Sequence, residues 1–311
     1  MWFASAKTLT VAGVLASTGG AVVGARSLLT GQAEQARSLI PKSFDIPPRA
    51  DGIYAPGGGP VRRWERNRPF DVHLMVFGDS TATGYGCLEA DEVPGVLIAR
   101  GLAEQSGRLV RLSTKAIVGA TSRGLASQVD AMLVAGPPPD AAVIMIGAND
   151  VTTLNGSGPS AKRLGAAVRR LRACGTTVVV GTCPDFGVIA AIPQPLRWTA
   201  RSLGIRLARA QAAEVTAAGG VPVPFADLLT PHFLTEPERL FSEDHFHPSA
   251  VGYELAAKQL LPALCQALGE TPPADRPWPQ AAQPATRLAR LTRLLGRQTT
   301  GVPAAVVLPA D

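Results

Sequence analysis

Hydrophobic and polar positions change rhythm at Asp71. Beyond it, short apolar runs alternate with longer segments in which apolar residues recur every three or four positions. The short runs predict strands at 72–77, 109–117, 141–146, 176–181 and 221–225. The longer segments predict helices at 93–105, 122–134, 160–173, 197–218 and 249–268, with Ser249 as the N-cap of the last. Strands alternating with helices of this length imply βαβ units, and hence a parallel five-stranded sheet covered by helices on both faces. Sites in such sheets form beyond the carboxyl ends of the strands, so a motif that carries chemistry should directly follow a strand.

The flanks are different in texture. Residues 8–25 carry no charge, follow Lys7 and end Val23-Gly24-Ala25, a small-residue pattern that suits signal-peptide cleavage. The run is barely long enough to span a bilayer, and its Gly, Ser and Thr residues make it a poor span. Residues 1–25 are read as an export signal, cleaved or kept as a weak anchor, which makes the chain secreted or cell-envelope associated. Residues 26–70 read as a linker, because the glycines of Pro56-Gly57-Gly58-Gly59-Pro60 lack the Lys-Ser/Thr of a phosphate loop. Residues 71–268 make the compact domain, and 269–311 a Pro- and Arg-rich tail. Over 284–297 a helix would put Leu288, Leu291, Leu294 and Leu295 on one face and Arg287, Arg290, Arg293 and Arg297 on the other. That basic amphipathic pattern suits peripheral contact with an anionic membrane.

Composition narrows the function classes. The 311 residues are 46% hydrophobic and 17% charged, enough for one large α/β domain. The net charge of +6 is scattered, without interleaved aromatics, so no nucleic-acid partner is expected. Cys87, Cys174, Cys183 and Cys265 form no CxxC and no Cys/His cluster, so no metal site is expected. An even count in an exported chain leaves disulfides and buried thiols both open.

Four features follow the predicted strands. Gly78-Asp79-Ser80-Thr81 follows the first, where a strand-to-helix turn lets a hydroxyl project from the sheet edge. Gly119 follows the second, and its backbone can approach a substrate closely. Gly147-Ala148-Asn149-Asp150 follows the third, and an asparagine there can donate to an oxyanion. Asp244-His245-Phe246-His247-Pro248 precedes the last helix. His247 can act as base and Asp244, three residues earlier, can accept from its other nitrogen, with His245 the rival base. Each feature alone is an ordinary turn or cap sequence.

Together, the blocks Phe77-Gly78-Asp79-Ser80, Gly119, Gly147-Ala148-Asn149-Asp150 and Asp244-His245-Phe246-His247 resemble, in order, those of the SGNH hydrolases, which include GDSL esterases and lipases. The resemblance covers residues 71–268 and is strongest to exported GDSL esterases of mycobacteria and related actinobacteria. It implies a three-layer α/β/α, flavodoxin-like fold and no cofactor or metal. It also implies Ser80 as nucleophile, His247 as base and then acid, Asp244 orienting His247, and an oxyanion hole of Ser80 N–H, Gly119 N–H and the Asn149 side chain. Thr81 departs from the leucine that many members carry nearby. Asp79 and Asp150 read as residues that brace loops.

The expected activity is serine carboxylester hydrolysis through an acyl-enzyme on Ser80, on a small acyl ester or lipid. Short loops and few aromatics (5%) point to short acyl chains. A carbohydrate O-acetyl esterase or acyltransferase would use the same constellation. A non-catalytic cell-envelope binding protein would not need the intact set. A dinucleotide enzyme is disfavoured because no GxGxxG follows the first strand. The sequence leaves oligomeric state open.

Overall fold

The computed structural model describes Gly24 and residues 27–35 and 47–270. Its strands are β1 (Gly52–Tyr54), β2 (Val72–Gly78), β3 (Val110–Thr114), β4 (Ala141–Met145), β5 (Thr177–Gly181) and β6 (Val221–Val223). They form one sheet in the order β1-β3-β2-β4-β5-β6, parallel except for β1. The helices are α1 (Ser80–Thr83), α2 (Pro94–Ser106), α3 (Leu125–Ala135), α4 (Ala148–Thr152) and α5 (Ser157–Ala173). They continue with α6 (Leu196–Ala217), α7 (Phe225–Thr235), α8 (Pro237–Leu240) and α9 (Ala250–Leu268).

The two-residue period of the strands sorts the core into two layers. Leu74 and Val76 of β2, Val143 of β4 and Val179 of β5 point to one face, where they meet Ile98 and Leu102 of α2 and Leu260 and Leu264 of α9. Met75, Phe77, Ile144 and Val180 point to the other, against Val129 of α3, Leu164 and Val168 of α5 and Val215 of α6. This is a three-layer α/β/α fold, as the alternation of runs implied.

Several details differ from the sequence reading, among them the strand read at 109–117, which stops at Thr114. The sheet has six strands, because Gly52-Ile53-Tyr54, inside the segment read as a linker, pairs antiparallel with β3 at its edge. Ile53 and Tyr54 are buried, but three residues are too few to register as a periodic run. The strand expected at 221–225 stops at Val223, since Phe225 already begins α7, a helix the sequence reading lacked and one that carries Pro231 internally. Ser249 does cap the last helix, accepting from Gly252 N–H at 3.2 Å.

All four cysteines are free thiols, three of them buried and Cys174 exposed. Residues 27–35 are helical, and the Gln32 side chain bonds the Gln194 carbonyl and the Leu196 N–H just before α6. No described helix is long and apolar enough to cross a membrane. Gly24 apart, the N-terminal run at 8–25 lies outside the described residues, as does the tail helix expected at 284–297.

Candidate active site

The carboxyl end of β2 delivers Ser80. At Gly78 φ is +136°, and a Cβ there would lie 1.9 Å from the Met145 carbonyl oxygen, so only glycine lets the chain turn against β4. Asp79 then caps α1, accepting from Thr81 N–H at 3.0 Å and from Gly147 N–H at 3.3 Å. It thereby ties the first block to the third. Burial pushes the Asp79 carboxyl up to about 6, against the opposing pull of those two N–H groups. Asp79 does brace the loop, and it does not touch the Ser80 hydroxyl.

Ser80 Oγ lies 2.9 Å from His247 Nε2, and His247 Nδ1 lies 2.6 Å from Asp244 Oδ2. The ionised carboxylate can only accept, so Nδ1 carries the proton and Nε2 is left to accept from the serine hydroxyl. Asp244 Oδ1 accepts from Ser242 Oγ and from the Phe246 and His247 N–H groups, at 2.7, 2.9 and 2.8 Å. Burial would raise this carboxyl, but the hydrogen bonds and charge of His247, with those of Ser242 and Phe246 N–H, outweigh it and hold it at about 2. His245, the rival base, is exposed at φ 54° on the tip of the same turn, and the contacts to Ser80 and Asp244 belong to His247.

The remaining expected members converge on the same edge. Gly119 has φ +79°, and a Cβ there would meet nothing within 4 Å, so its backbone shape and not crowding demands glycine. Among the described residues neither Ser80 N–H nor Gly119 N–H bonds a backbone acceptor. Asn149 Nδ2 donates to Ala120 O at 2.9 Å, which fixes the carboxamide beside Gly119 and leaves one amide hydrogen unused. Asp150 sits behind it, buried, accepting from Ser122 N–H, Ser122 Oγ and Ser160 Oγ at 2.7–2.8 Å.

Several contributors had no legible signal. The Tyr85 ring lies 4.6 Å from the His247 ring, and Tyr253 Oη donates to Tyr85 O at 2.7 Å. Gln128 of α3 both accepts from Gly78 N–H and donates to Gly78 O, at 2.9 and 2.8 Å, and so clamps the end of β2. Gln211 of α6 likewise joins Cys183 N–H to Ile146 O. A cavity of about 880 Å³, counted with its open mouth, leads from Ser80 and His247 between Phe186, Phe225, Phe233, Phe241 and Phe246. The chain is poor in aromatics, yet five of its nine phenylalanines gather here. Among the described residues no group of three His, Cys, Asp or Glu side chains could hold a metal ion.

Comparison with known proteins gives concordant findings. The profile of the GDSL-like Lipase/Acylhydrolase family matches residues 76–255. The chain is 69% identical over 266 residues to the GDSL-like esterase Rv1075c of Mycobacterium tuberculosis, covering 86% of this chain and 85% of that one. Among solved structures, TesA superposes with a TM-score of 0.52 at 22% identity, over 63% of this chain and 99% of TesA, a likeness of fold.

Proposed function

Because the chain belongs to the GDSL-like lipase/acylhydrolase family and is a carboxylester hydrolase of that type, we propose that it works through an acyl-enzyme on Ser80. The observation that carries this reading is the unbroken relay from Ser80 Oγ through His247 to Asp244. In the first half-reaction the hydroxyl proton passes to His247 Nε2 as Oγ bonds the ester carbonyl carbon. The carbonyl oxygen becomes an oxyanion facing Ser80 N–H, Gly119 N–H and the free Asn149 amide hydrogen. The imidazolium, stabilised by Asp244, then gives its proton to the leaving alkoxide and the alcohol departs. In the second half, water loses a proton to Nε2 and adds to the acyl carbon. Collapse returns the proton to Ser80 Oγ and releases the carboxylic acid.

For the acyl group, short chains are proposed from the short loops and low aromatic content of the sequence. The phenylalanine-lined cavity favours a second reading, in which a longer chain enters behind Ser80. A series of p-nitrophenyl esters of rising chain length, assayed on wild type and Ser80→Ala, decides both points. A kcat/KM that falls beyond butyrate supports the first reading, and one that rises supports the second. Ser80→Ala should lose roughly 10⁴-fold or more in kcat with either substrate. Near-normal turnover by Ser80→Ala contradicts the mechanism.

Export and cell-envelope association are proposed from residues 1–25, and peripheral contact of the tail with anionic lipid from its leucine and arginine faces. Fractionation of expressing cells tests the first, with retention in the cytoplasm as the contrary result. Deleting 269–311 tests the second, with unchanged binding to anionic vesicles as the contrary result.

A further inference from the structure

The mouth of the cleft has two unlike sides. On the side of α2 and α9 the loops carry Glu89, Asp91 and Glu243 beside a single exposed leucine, Leu88 at 49%. On the side of α3, α5 and α6 they carry large apolar side chains that face solvent: Ile117 at 58%, Val118 at 46%, Leu154 at 75% and Trp198 at 67% exposed. All four come from segments that leave the carboxyl ends of β3, β4 and β5, so they share the edge at which Ser80 lies. Ile117 N–H still bonds Gly78 O, and Ala120, three residues on, is held by Asn149. Leu154 lines one small cavity with Leu203 and Leu207 of α6, the helix whose first turn holds Trp198.

Solitary exposed apolar residues need no explanation, but four on one rim beside a cleft form a patch. The charge around them is of one sign. Lys115, Arg123 and Lys162 lie in or beside the same segments and make no ion pair among the described residues. Asp185, the one carboxylate of the 182–201 segment, is buried and already bound by Arg201. Gln32 of the helical residues 27–35 is hydrogen-bonded to Gln194 and Leu196, close in sequence to Trp198. Apolar area for insertion and unpaired cations for phosphate have one occupant in common.

We propose that this rim docks on an anionic lipid surface, with Ile117, Val118, Leu154 and Trp198 inserted at the level of the head groups and Lys115, Arg123 and Lys162 against the phosphates. The cleft then opens toward the lipid rather than toward bulk water. The proposal concerns a surface, and it stands apart from the reading of Ser80.

The test uses the full chain carrying Ser80→Ala, so that binding is read without turnover and independently of mechanism. Sedimentation with phosphatidylcholine vesicles, with and without phosphatidylglycerol, compares it with the added triple substitution Ile117→Ser, Leu154→Ser and Trp198→Ser. The triple variant should bind anionic vesicles at least about tenfold more weakly. Lys115→Gln with Arg123→Gln should lose several-fold, and the loss should vanish at high salt. The triple substitution in the Ser80 background should hydrolyse a soluble short-chain ester as wild type does, which verifies the fold. If it does not, Leu154→Ser alone, at the most exposed position, carries the comparison. Undiminished vesicle binding by the variants overturns the proposal. So does absence of wild-type binding, or a wild-type dimer that the triple variant dissolves, since the rim would then cover a second copy.

Discussion

In the proposed mechanism Asp244 and Asn149 each act through one fixed hydrogen bond. Asp244 is acceptor-only, so it dictates that His247 carries its proton on Nδ1. Asp244→Asn would present an amide N–H to that nitrogen and favour the tautomer that cannot accept from Ser80. The expected loss is about 10⁴-fold in kcat with little change in KM, read from steady-state kinetics on a soluble ester. A drop of tenfold or less would show that the carboxylate only positions the ring. Asn149 spends one amide hydrogen on Ala120 O, and in the proposed mechanism the other meets the oxyanion. Asn149→Ala should therefore lower kcat by roughly 10²–10³ at similar KM. A change confined to KM would place Asn149 in ground-state binding. These residues were legible because Asn149 directly follows a strand and Asp244 opens an Asp-x-x-His turn. Tyr85 and Ser242 were not, because their contacts to His247 and Asp244 depend on how loops fold back, which spacing does not encode.

At the level of elements, the site depends on how helices grip strand ends. Gln128 has the sequence character of a polar position on the outer face of a helix, yet it is buried and satisfies both backbone groups of Gly78. Gln128→Leu leaves a buried donor and acceptor unpaired, and should destabilise the fold by about 2–4 kcal/mol in denaturant unfolding. It should also lower kcat, since Gly78 sets the turn into Ser80. Unchanged stability would mean water replaces the amide. The strand-helix alternation was legible because apolar periodicity is strong in elements that face the core on both layers. β1 escaped because three residues show no period, and α7 because Pro222, Pro224 and Pro231 punctuate the segment as loops do. The cavity was hidden for a similar reason, since its phenylalanines come from loops and helices far apart in sequence.

For the whole molecule, three buried titratable groups shape stability against pH. Burial, aided by Arg111, pushes His73 down from 6.5 to about 4. Its favourable contribution is complete above 6.5 and is lost as the pH falls toward 4, where the unfolded chain binds the extra proton. Asp79 runs the other way, because its raised value favours the protonated form and stabilises as the pH falls from about 6 to 3.8. Asp244, held at about 2, contributes fully above 3.8 and loses its contribution only below that. The two groups that titrate between 4 and 6.5 therefore oppose each other, and the wild-type profile should be shallow there. Thermal unfolding of wild type and His73→Gln isolates one of them. The advantage of wild type should shrink as the pH falls from 6.5 toward 4, and a constant difference would contradict the assignment.

The central claim is that Ser80 carries the acyl group. Rapid acid quench of wild type turning over an ester, followed by mass spectrometry of the digested protein, reads it directly. The expected result is an adduct of the acyl mass on the peptide that contains Ser80, absent from Ser80→Ala along with turnover. Turnover with no adduct on that peptide, or an adduct and activity that survive Ser80→Ala, would contradict it.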